Sequence, residues 1–210
     1  MRQLALFPLN LVVFPGEKLN LHIFEPRYRQ LVQDCVQEGI TFGIPPYING
    51  SVSTLGTEMK LLHIEKTYAS GETDIRTKAV GVFRVREFFH ELPGKLYAGA
   101  TVEPLPDDTA ADLVMYQQTR QLIRQLYDIL GLQRLLLELP ENFRAYDVAH
   151  HLGMSTEQEY QLLESATELE RQQLVLTHLE TVLPVLQETE RLKERVRLNG
   201  HFKNLTPPAF

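Results

Sequence analysis

The pattern of apolar residues changes once along this chain, near residue 106, and that change limits the folds the chain can adopt. Before it, short runs of alternating apolar and polar residues are separated by Gly, Pro or Asn, as strands and turns require. After it, apolar residues recur at intervals of three and four, the spacing of one face of an α-helix. The sequence therefore predicts an α+β protein, with strands in its first half and helices in its second.

The first half contains six predicted strands and one helix. The strands are QLALF, KLNLHIF, ITFGI, TEMKLLHIEKTY, TDIRTKAVGVFRVREFF and KLYAGATVEPL. The helix is predicted from Pro26 to Glu38, because Pro is favoured in a first turn and Gly39 is placed to end it. The segment ASGET, residues 69–73, is expected to join the two longest strands. Since closure removes exposed sheet edges, we expect a curled sheet or a small barrel.

The second half is typical of a series of amphipathic helices. Gly131 and Gly153 are expected to end two of them, and the capping-box pattern STEQ, residues 155–158, to open a third. A long last helix is predicted from about Thr167 to Leu198, with Pro184 expected to kink or split it. We predict a β-domain over residues 1–106, a helical bundle over residues 107–200 and a tail over residues 201–210.

Charge is spread unevenly along the chain. The chain has 21 Lys and Arg against 27 Asp and Glu, a net charge of −6, and this excess lies in the helical half because the first 106 residues are balanced. The balance argues against non-specific nucleic-acid binding, which depends mainly on Lys and Arg neutralising phosphates. A basic stripe formed by Arg76, Lys78, Arg84 and Arg86 is the place where such binding would have to occur.

Signals for export, membrane insertion and metal binding are missing from the sequence. There is no signal peptide and no apolar run long enough to span a bilayer, so we expect a cytoplasmic protein. Cys35 lies on the apolar stripe of the first helix and is expected to be a packing residue. His150 and His151 are adjacent and would point in different directions on a helix. We predict no metal site and no cofactor.

The ordered segments of the first half resemble a known family. LALFPLNLVVFPGEKLNLHIFEPRYRQLVQDC, residues 4–35, is followed by FGI, GTEMKLLHIEKTYASGETDIRTKAVGVFRVREF and YAGATVEPLPDD. In this order the segments resemble the N-terminal substrate-binding domain of Lon proteases over residues 4 to about 108, and the helical half is similar to the helices that follow this domain. The resemblance implies a pseudo-barrel related to PUA domains, followed by a helical bundle.

The resemblance also carries an expectation about function. Lon proteases contain an ATPase and a Ser-Lys peptidase domain, whereas this chain ends at Phe210 and contains no G-x-x-x-x-G-K-[ST] phosphate loop. We therefore expect a non-catalytic protein that binds unfolded or extended polypeptide or a partner protein, with no membrane contact. A PUA-like RNA-binding protein is the alternative. An enzyme of unrecognised type is a third hypothesis, and no motif in the sequence favours it.

Aromatic residues near predicted loops are the candidate binding residues. Tyr47 lies in IPPYING, and Phe88, Phe89 and Tyr97 lie in EFFHELPGKLY. Neighbouring residues of a strand face opposite sides, so Phe88 and Phe89 cannot both enter one core. Either a helix covers the second face, or these residues form an apolar patch for polypeptide. We predict weak polypeptide binding through Tyr47, Phe88, Phe89 and Tyr97 on one side of the barrel.

Overall fold

The computed structural model describes residues 1–201, apart from the side chains of residues 136, 138 and 198–201. The strands are β1 (Arg2–Leu6), β2 (Lys18–Ile23), β3 (Phe42–Ile44), β4 (Tyr47–Ile48), β5 (Ser51–Val52), β6 (Leu55–Thr67), β7 (Thr73–Phe89) and β8 (Gly99–Leu105). The helices are α1 (Pro26–Glu38), α2 (Leu113–Leu130), α3 (Gln133–Glu138), α4 (Ala145–Val148), α5 (Thr156–Glu164) and α6 (Glu168–His201). The predicted α+β class is confirmed, whereas the predicted tail lies outside the described residues except for His201.

Five strands form a closed barrel. They are hydrogen-bonded in the order β7, β6, β3, β1 and β8, and β8 pairs again with β7. The 17-residue strand β7 makes this possible, because its first half pairs with β2 and its second half with β8. The pairing of β1 with β3 is parallel, while the other pairings of this sheet are antiparallel. Closure leaves the ring without a free edge.

Two small residues make room for a large one inside the barrel. The Phe83 ring of β7 is buried, and it packs against the backbone of β3 and β6 at Gly43 and Gly56. A Cβ atom at either glycine would lie 2.5 or 2.6 Å from the ring, far inside van der Waals contact. On the other side of the sheet, Cys35 of α1 is buried in agreement with its predicted packing role, and burial raises the pKa of its thiol to about 12.

The helices pack into a core that includes residues from the β-half. Val12 and Phe14, in the segment between β1 and β2, belong to the same buried cluster as Ile123 of α2 and Leu179 of α6. The ring of Phe14 stacks on that of Tyr146, with ring centroids 4.9 Å apart. The two halves are therefore joined through a shared apolar core.

Two of the helix ends lie where the sequence signals place them. Gly131 ends α2 with a positive φ of 70°, and Ser155 and Gln158 form the predicted capping box of α5. Of the two outcomes predicted for Pro184, a kink or a split, the split is not found, because α6 continues through Pro184. Pro184 leaves the carbonyl of Glu180 without its helical partner, and both residues are exposed, so water can hydrogen-bond to that carbonyl.

Candidate binding cleft

A cleft of about 750 Å³ lies where the barrel meets the helices. Its apolar wall is formed by Leu11, Val12, Phe14, Leu19, Pro140 and Tyr146. Its polar rim is formed by Glu17, Asp147, His150 and His151. An open apolar surface with a few polar groups at its edge is typical of a binding site. We call this feature the barrel–helix cleft.

The turn at Pro15 and Gly16 shapes one wall of the barrel–helix cleft. Gly16 has a φ of 92°, and its N–H donates to the carbonyl of Ala79 on β7 at 3.1 Å. The Arg144 guanidinium donates to the carbonyl of Pro15 at 3.1 Å, so the turn is also tied to the start of α4. Turn and helix are thus held in a defined position relative to each other.

His150 connects the same turn to α5. Its Nδ1 atom lies 2.7 Å from Oε1 of Glu159, and its Nε2 atom lies 3.2 Å from Oε2 of Glu17. The hydrogen bonds to Glu159 and then to Glu17 raise the pKa of His150 to about 9, so the ring carries a positive charge at neutral pH. Its ring centroid is 4.8 Å from that of Phe14. A partly exposed ion cluster therefore lies at the rim of the cleft.

A second ion cluster fixes Tyr146, which belongs to the cleft wall. Arg171 of α6 is 3% exposed and its Nη1 atom lies 3.2 Å from Asp107 and 3.3 Å from Glu168. Its guanidinium lies 4.3 Å above the ring of Tyr146. Burial raises the pKa of Glu168, although the Ala145 N–H and Arg171 both donate to this carboxylate. The sequence carries no local signal for this cluster, because Asp107 and Arg171 are far apart in the chain.

Three of the four predicted binding residues lie at the surface. Tyr47 is 45% exposed on β4, where the turn at Asn49 and Gly50 forms a short hairpin in a segment predicted to be a loop. Phe88 is 39% exposed, and Phe89 is half-buried. Among the described residues, no ring contact joins any two of the four.

The prediction that Tyr97 belongs to an exposed patch is wrong. Tyr97 is 1% exposed, and its hydroxyl donates to Oδ2 of Asp34 at 2.7 Å. The segment after β7 folds back onto α1, where the Leu96 N–H donates to the side chain of Gln30 at 2.7 Å. This return of the chain, rather than any property of the residue itself, places Tyr97 in the core.

The predicted basic stripe lies on the outer face of β7, and two of its four charges are paired. Arg76 makes two hydrogen bonds to Glu65, at 2.9 and 2.7 Å. The Nε atom of Arg86 donates to Glu103 at 2.8 Å. These carboxylates reduce the attraction of the stripe for phosphate, so the RNA-binding alternative is not favoured.

Neither a membrane span nor a metal centre is found in the part of the chain that the structure describes. No helix within residues 1–201 is both long enough and apolar enough to cross a bilayer. Within the same residues, no group of three His, Cys, Asp or Glu side chains is arranged to hold a metal ion.

The fold and the cleft define a class of α+β proteins in which a small closed barrel shares its core with a following helical region. Within this class the family is identified by sequence: the model of the ATP-dependent protease La (LON) substrate-binding domain matches residues 3–181. The chain belongs to this family, and the predicted resemblance is confirmed. No curated protein sequence matches the chain.

Solved structures of two relatives have the same fold. The Lon N-terminal domain protein from Xanthomonas campestris aligns with a TM-score of 0.67 and 24% identity, covering 84% of this chain and 98% of that protein's chain. The N-terminal domain of the Mycobacterium avium complex Lon protease aligns with a TM-score of 0.68 and 14% identity, covering 85% and 98%. At these identities the likeness is one of fold.

Proposed function

We propose that this protein recognises extended segments of polypeptide in the barrel–helix cleft and catalyses no reaction of its own. The observation that carries the proposal is the family match, which describes a protease substrate-binding domain and extends over residues 3–181. A protease's substrates are polypeptides, so recognition of polypeptide is the activity that the family description supports.

The barrel–helix cleft has the chemistry that such a ligand needs. Leu11 and Leu19 are half-buried, so part of each side chain remains available to an apolar side chain of the ligand. At the rim, Glu17 and Asp147 each use one carboxylate oxygen for hydrogen bonds within the protein, and the other oxygen can accept a main-chain N–H of an extended segment. A volume of about 750 Å³ accommodates several side chains.

We expect the affinity to be modest. A segment bound in one cleft alone gains no avidity, so a dissociation constant in the micromolar range or weaker, about −8 kcal/mol or less favourable, is the natural expectation. Weak binding also suits a protein that holds many different segments rather than one sequence.

The absence of catalysis has its own test. Because the sequence contains no G-x-x-x-x-G-K-[ST] loop, we expect no ATP binding in calorimetry and no cleavage of casein by the pure protein. Stoichiometric ATP binding would contradict this part of the proposal.

Substitution of Leu11 tests the cleft. Leu11→Ser removes an apolar contact, and we expect it to weaken the binding of fluorescently labelled, unfolded casein by roughly tenfold, equivalent to about 1.4 kcal/mol. Leu21→Ser is the matched control. Leu21, like Leu11, is half-buried against the apolar cluster that contains Ile23 and Ile75, but it lies outside the cleft. Fluorescence anisotropy gives the affinities, and thermal melts show whether both variants lose similar stability. Equal binding by the two variants would remove the cleft from the proposal.

The exposed aromatic residues remain a second proposed surface for the same function. Phe88→Ala and Tyr47→Ala should leave stability almost unchanged, because both side chains are substantially exposed. If either variant loses casein binding while Leu11→Ser retains it, the binding surface lies on the barrel at these residues rather than in the cleft.

A further inference from the structure

A second pocket lies between α1 and the hairpin of β6 and β7. It has a volume of about 320 Å³, and the side chains of Val32, Val36 and Ile64 form its apolar part. Val36 is 59% exposed and Ile64 is 39% exposed, so this apolar part opens to solvent. Arg29 and Thr73 supply polar groups to the same pocket, which we call the Arg29 pocket.

Two polar atoms beside the Arg29 pocket are closed to solvent and have no hydrogen-bond partner. They are Nε of Arg29 and Oγ1 of Thr73. No carboxylate among the described residues forms an ion pair with Arg29, whereas Arg27, two residues earlier, donates to Glu25 at 2.8 Å. Leaving such groups unsatisfied costs free energy, so native structures pair nearly all of them. The positive charge of Arg29, which lines the pocket, is therefore not neutralised by a carboxylate of the described residues.

The guanidinium is confined at one end of the pocket. A Cβ atom at Gly71 would lie 2.9 Å from Nη1 of Arg29, so the backbone of the hairpin loop passes directly beside the cation. Gly71 has a φ of 85°, a conformation that favours glycine. The loop holds the Arg29 charge next to the apolar surface of Val32 and Ile64 rather than letting it extend into water.

We propose that the Arg29 pocket binds the C-terminal residue of a polypeptide that ends in an aliphatic side chain. The terminal carboxylate accepts hydrogen bonds from Nη1 and Nη2 of Arg29, and the side chain covers Val36 and Ile64. A guanidinium matches a carboxylate in charge and in its paired hydrogen-bond geometry.

The juxtaposition of cation and apolar surface selects a chain terminus over an acidic side chain. In a C-terminal Leu or Val, the carboxylate and the aliphatic group share one Cα atom, so both ends of the pocket are filled together. An internal Asp or Glu that placed its carboxylate at Arg29 would leave the apolar part uncovered. This inference rests on the proposed function in that its ligand is a polypeptide, although the site is distinct from the barrel–helix cleft.

A pair of peptides that differ only at the terminus tests the proposal. Two N-terminally labelled polar decapeptides ending in Leu, one a free acid and one a C-terminal amide, are titrated with the full chain in fluorescence anisotropy. We expect the free acid to bind at least tenfold more tightly. Arg29→Gln should reduce free-acid binding to that of the amide, while Arg27→Gln, which changes an arginine already paired with Glu25, should preserve the difference. A free acid ending in Ser should bind several-fold more weakly than the one ending in Leu.

The outcomes separate this proposal from the proposed function. Equal binding of acid and amide, no binding of the free acid, or an acid preference that survives Arg29→Gln would each overturn it. Octanoate that binds in calorimetry while the peptide acid does not would also overturn it, by assigning the pocket to small carboxylates. If Leu11→Ser weakens casein binding and leaves the acid preference intact, both sites stand. Thermal melting should change little in Arg29→Gln, because the wild-type side chain has no ion pair to lose.

Discussion

The Asp34 carboxylate organises the segment that follows β7. Its Oδ2 atom accepts hydrogen bonds from Tyr97 at 2.7 Å and from Lys95 at 2.9 Å. Burial acts to raise the pKa of this carboxyl group, but the two hydrogen bonds outweigh burial and the pKa lies below its usual range. Burial and the bond to Asp34 together raise the pKa of the Tyr97 hydroxyl. The ring and its hydroxyl therefore act in stability.

Removal of the Tyr97 hydroxyl tests this role. Tyr97→Phe leaves the ring in place but removes one donor from a charged acceptor, and we expect it to lower the free energy of unfolding by about 1.5 to 3 kcal/mol. Tyr97→Ala should cost about 3 to 5 kcal/mol, because it also creates a cavity. Urea denaturation gives both values. A stable Tyr97→Phe variant that no longer binds casein would instead make Tyr97 a binding residue.

His150 makes stability depend on pH. Its folded-state pKa of about 9 lies above its ordinary value of 6.5, so the stabilisation is complete below about pH 6.5 and is lost as the pH rises towards 9. Glu17 and Glu159 are the charged groups that face the ring, and the Phe14 ring packs against it. We expect the loss to be about 1 kcal/mol, after allowance for solvent screening of a partly exposed ring.

Unfolding of wild type and His150→Gln between pH 6 and pH 9.5 measures this effect. The free energy of unfolding of wild type should fall relative to that of the variant as the pH rises. His151→Gln is the control, because the ring of His151 pairs with neither Glu17 nor Glu159 in the described structure. Parallel pH curves for wild type and His150→Gln would show that the cluster does not stabilise the fold.

The strands of the barrel depend on close packing at their glycines. Gly56 of β6 and Gly43 of β3 face the Phe83 ring of β7, and neither position has room for a Cβ atom. The Phe83 ring therefore packs between the neighbouring strands β7, β6 and β3.

Gly56→Ala tests this packing. The added methyl group would lie 2.6 Å from the ring and 2.8 Å from the backbone of Pro45, so we expect a loss of about 1 to 3 kcal/mol in thermal or urea unfolding. Gly81→Ala on β7 is the matched control, because a Cβ atom there meets nothing within 4 Å. Equal stability of the two variants would refute the packing argument.

The barrel and the helices should unfold together. Val12 and Phe14 lie in the helical core, and Arg171 joins α6 to Asp107 in the connection between β8 and α2. An isolated segment of residues 1–106 would expose both apolar side chains. We predict that this β-half gives no cooperative unfolding transition by itself, and that limited proteolysis near Pro106 does not release two stable fragments. A cooperative transition of the isolated segment would show that the two halves fold independently.

Arg171→Met provides a second test of the same coupling. The substitution leaves Glu168 buried without its cation, and breaking a buried pair in this way costs about 3 to 5 kcal/mol. We expect the midpoint of thermal unfolding to fall by the same amount whether it is followed by near-UV or by far-UV circular dichroism, because both halves share the core. Arg191→Met, in an exposed pair with Glu188, should change the midpoint little.

Local sequence patterns determined the α+β class, the 17-residue strand β7, the end of α2 at Gly131 and the start of α5. These features depend on neighbours within a few residues, where periodicity, turn residues and caps act directly. The family was also determined by sequence, since its segments occur in a fixed order. The helix is not split at Pro184, and a local rule for proline does not include whether water can reach the carbonyl that proline leaves unpaired.

Tertiary structure alone decided the burial of Tyr97, the pairing of His150 with Glu17 and the isolation of Arg29. His150 and Glu17 are 133 positions apart, and Tyr97 and Asp34 are 63 apart. The periodicity of a segment states which of its sides is apolar, but it contains no information about which distant segment will cover that side. The barrel–helix cleft and the Arg29 pocket both arise from such distant contacts, because each lies between segments that only the closed fold brings together.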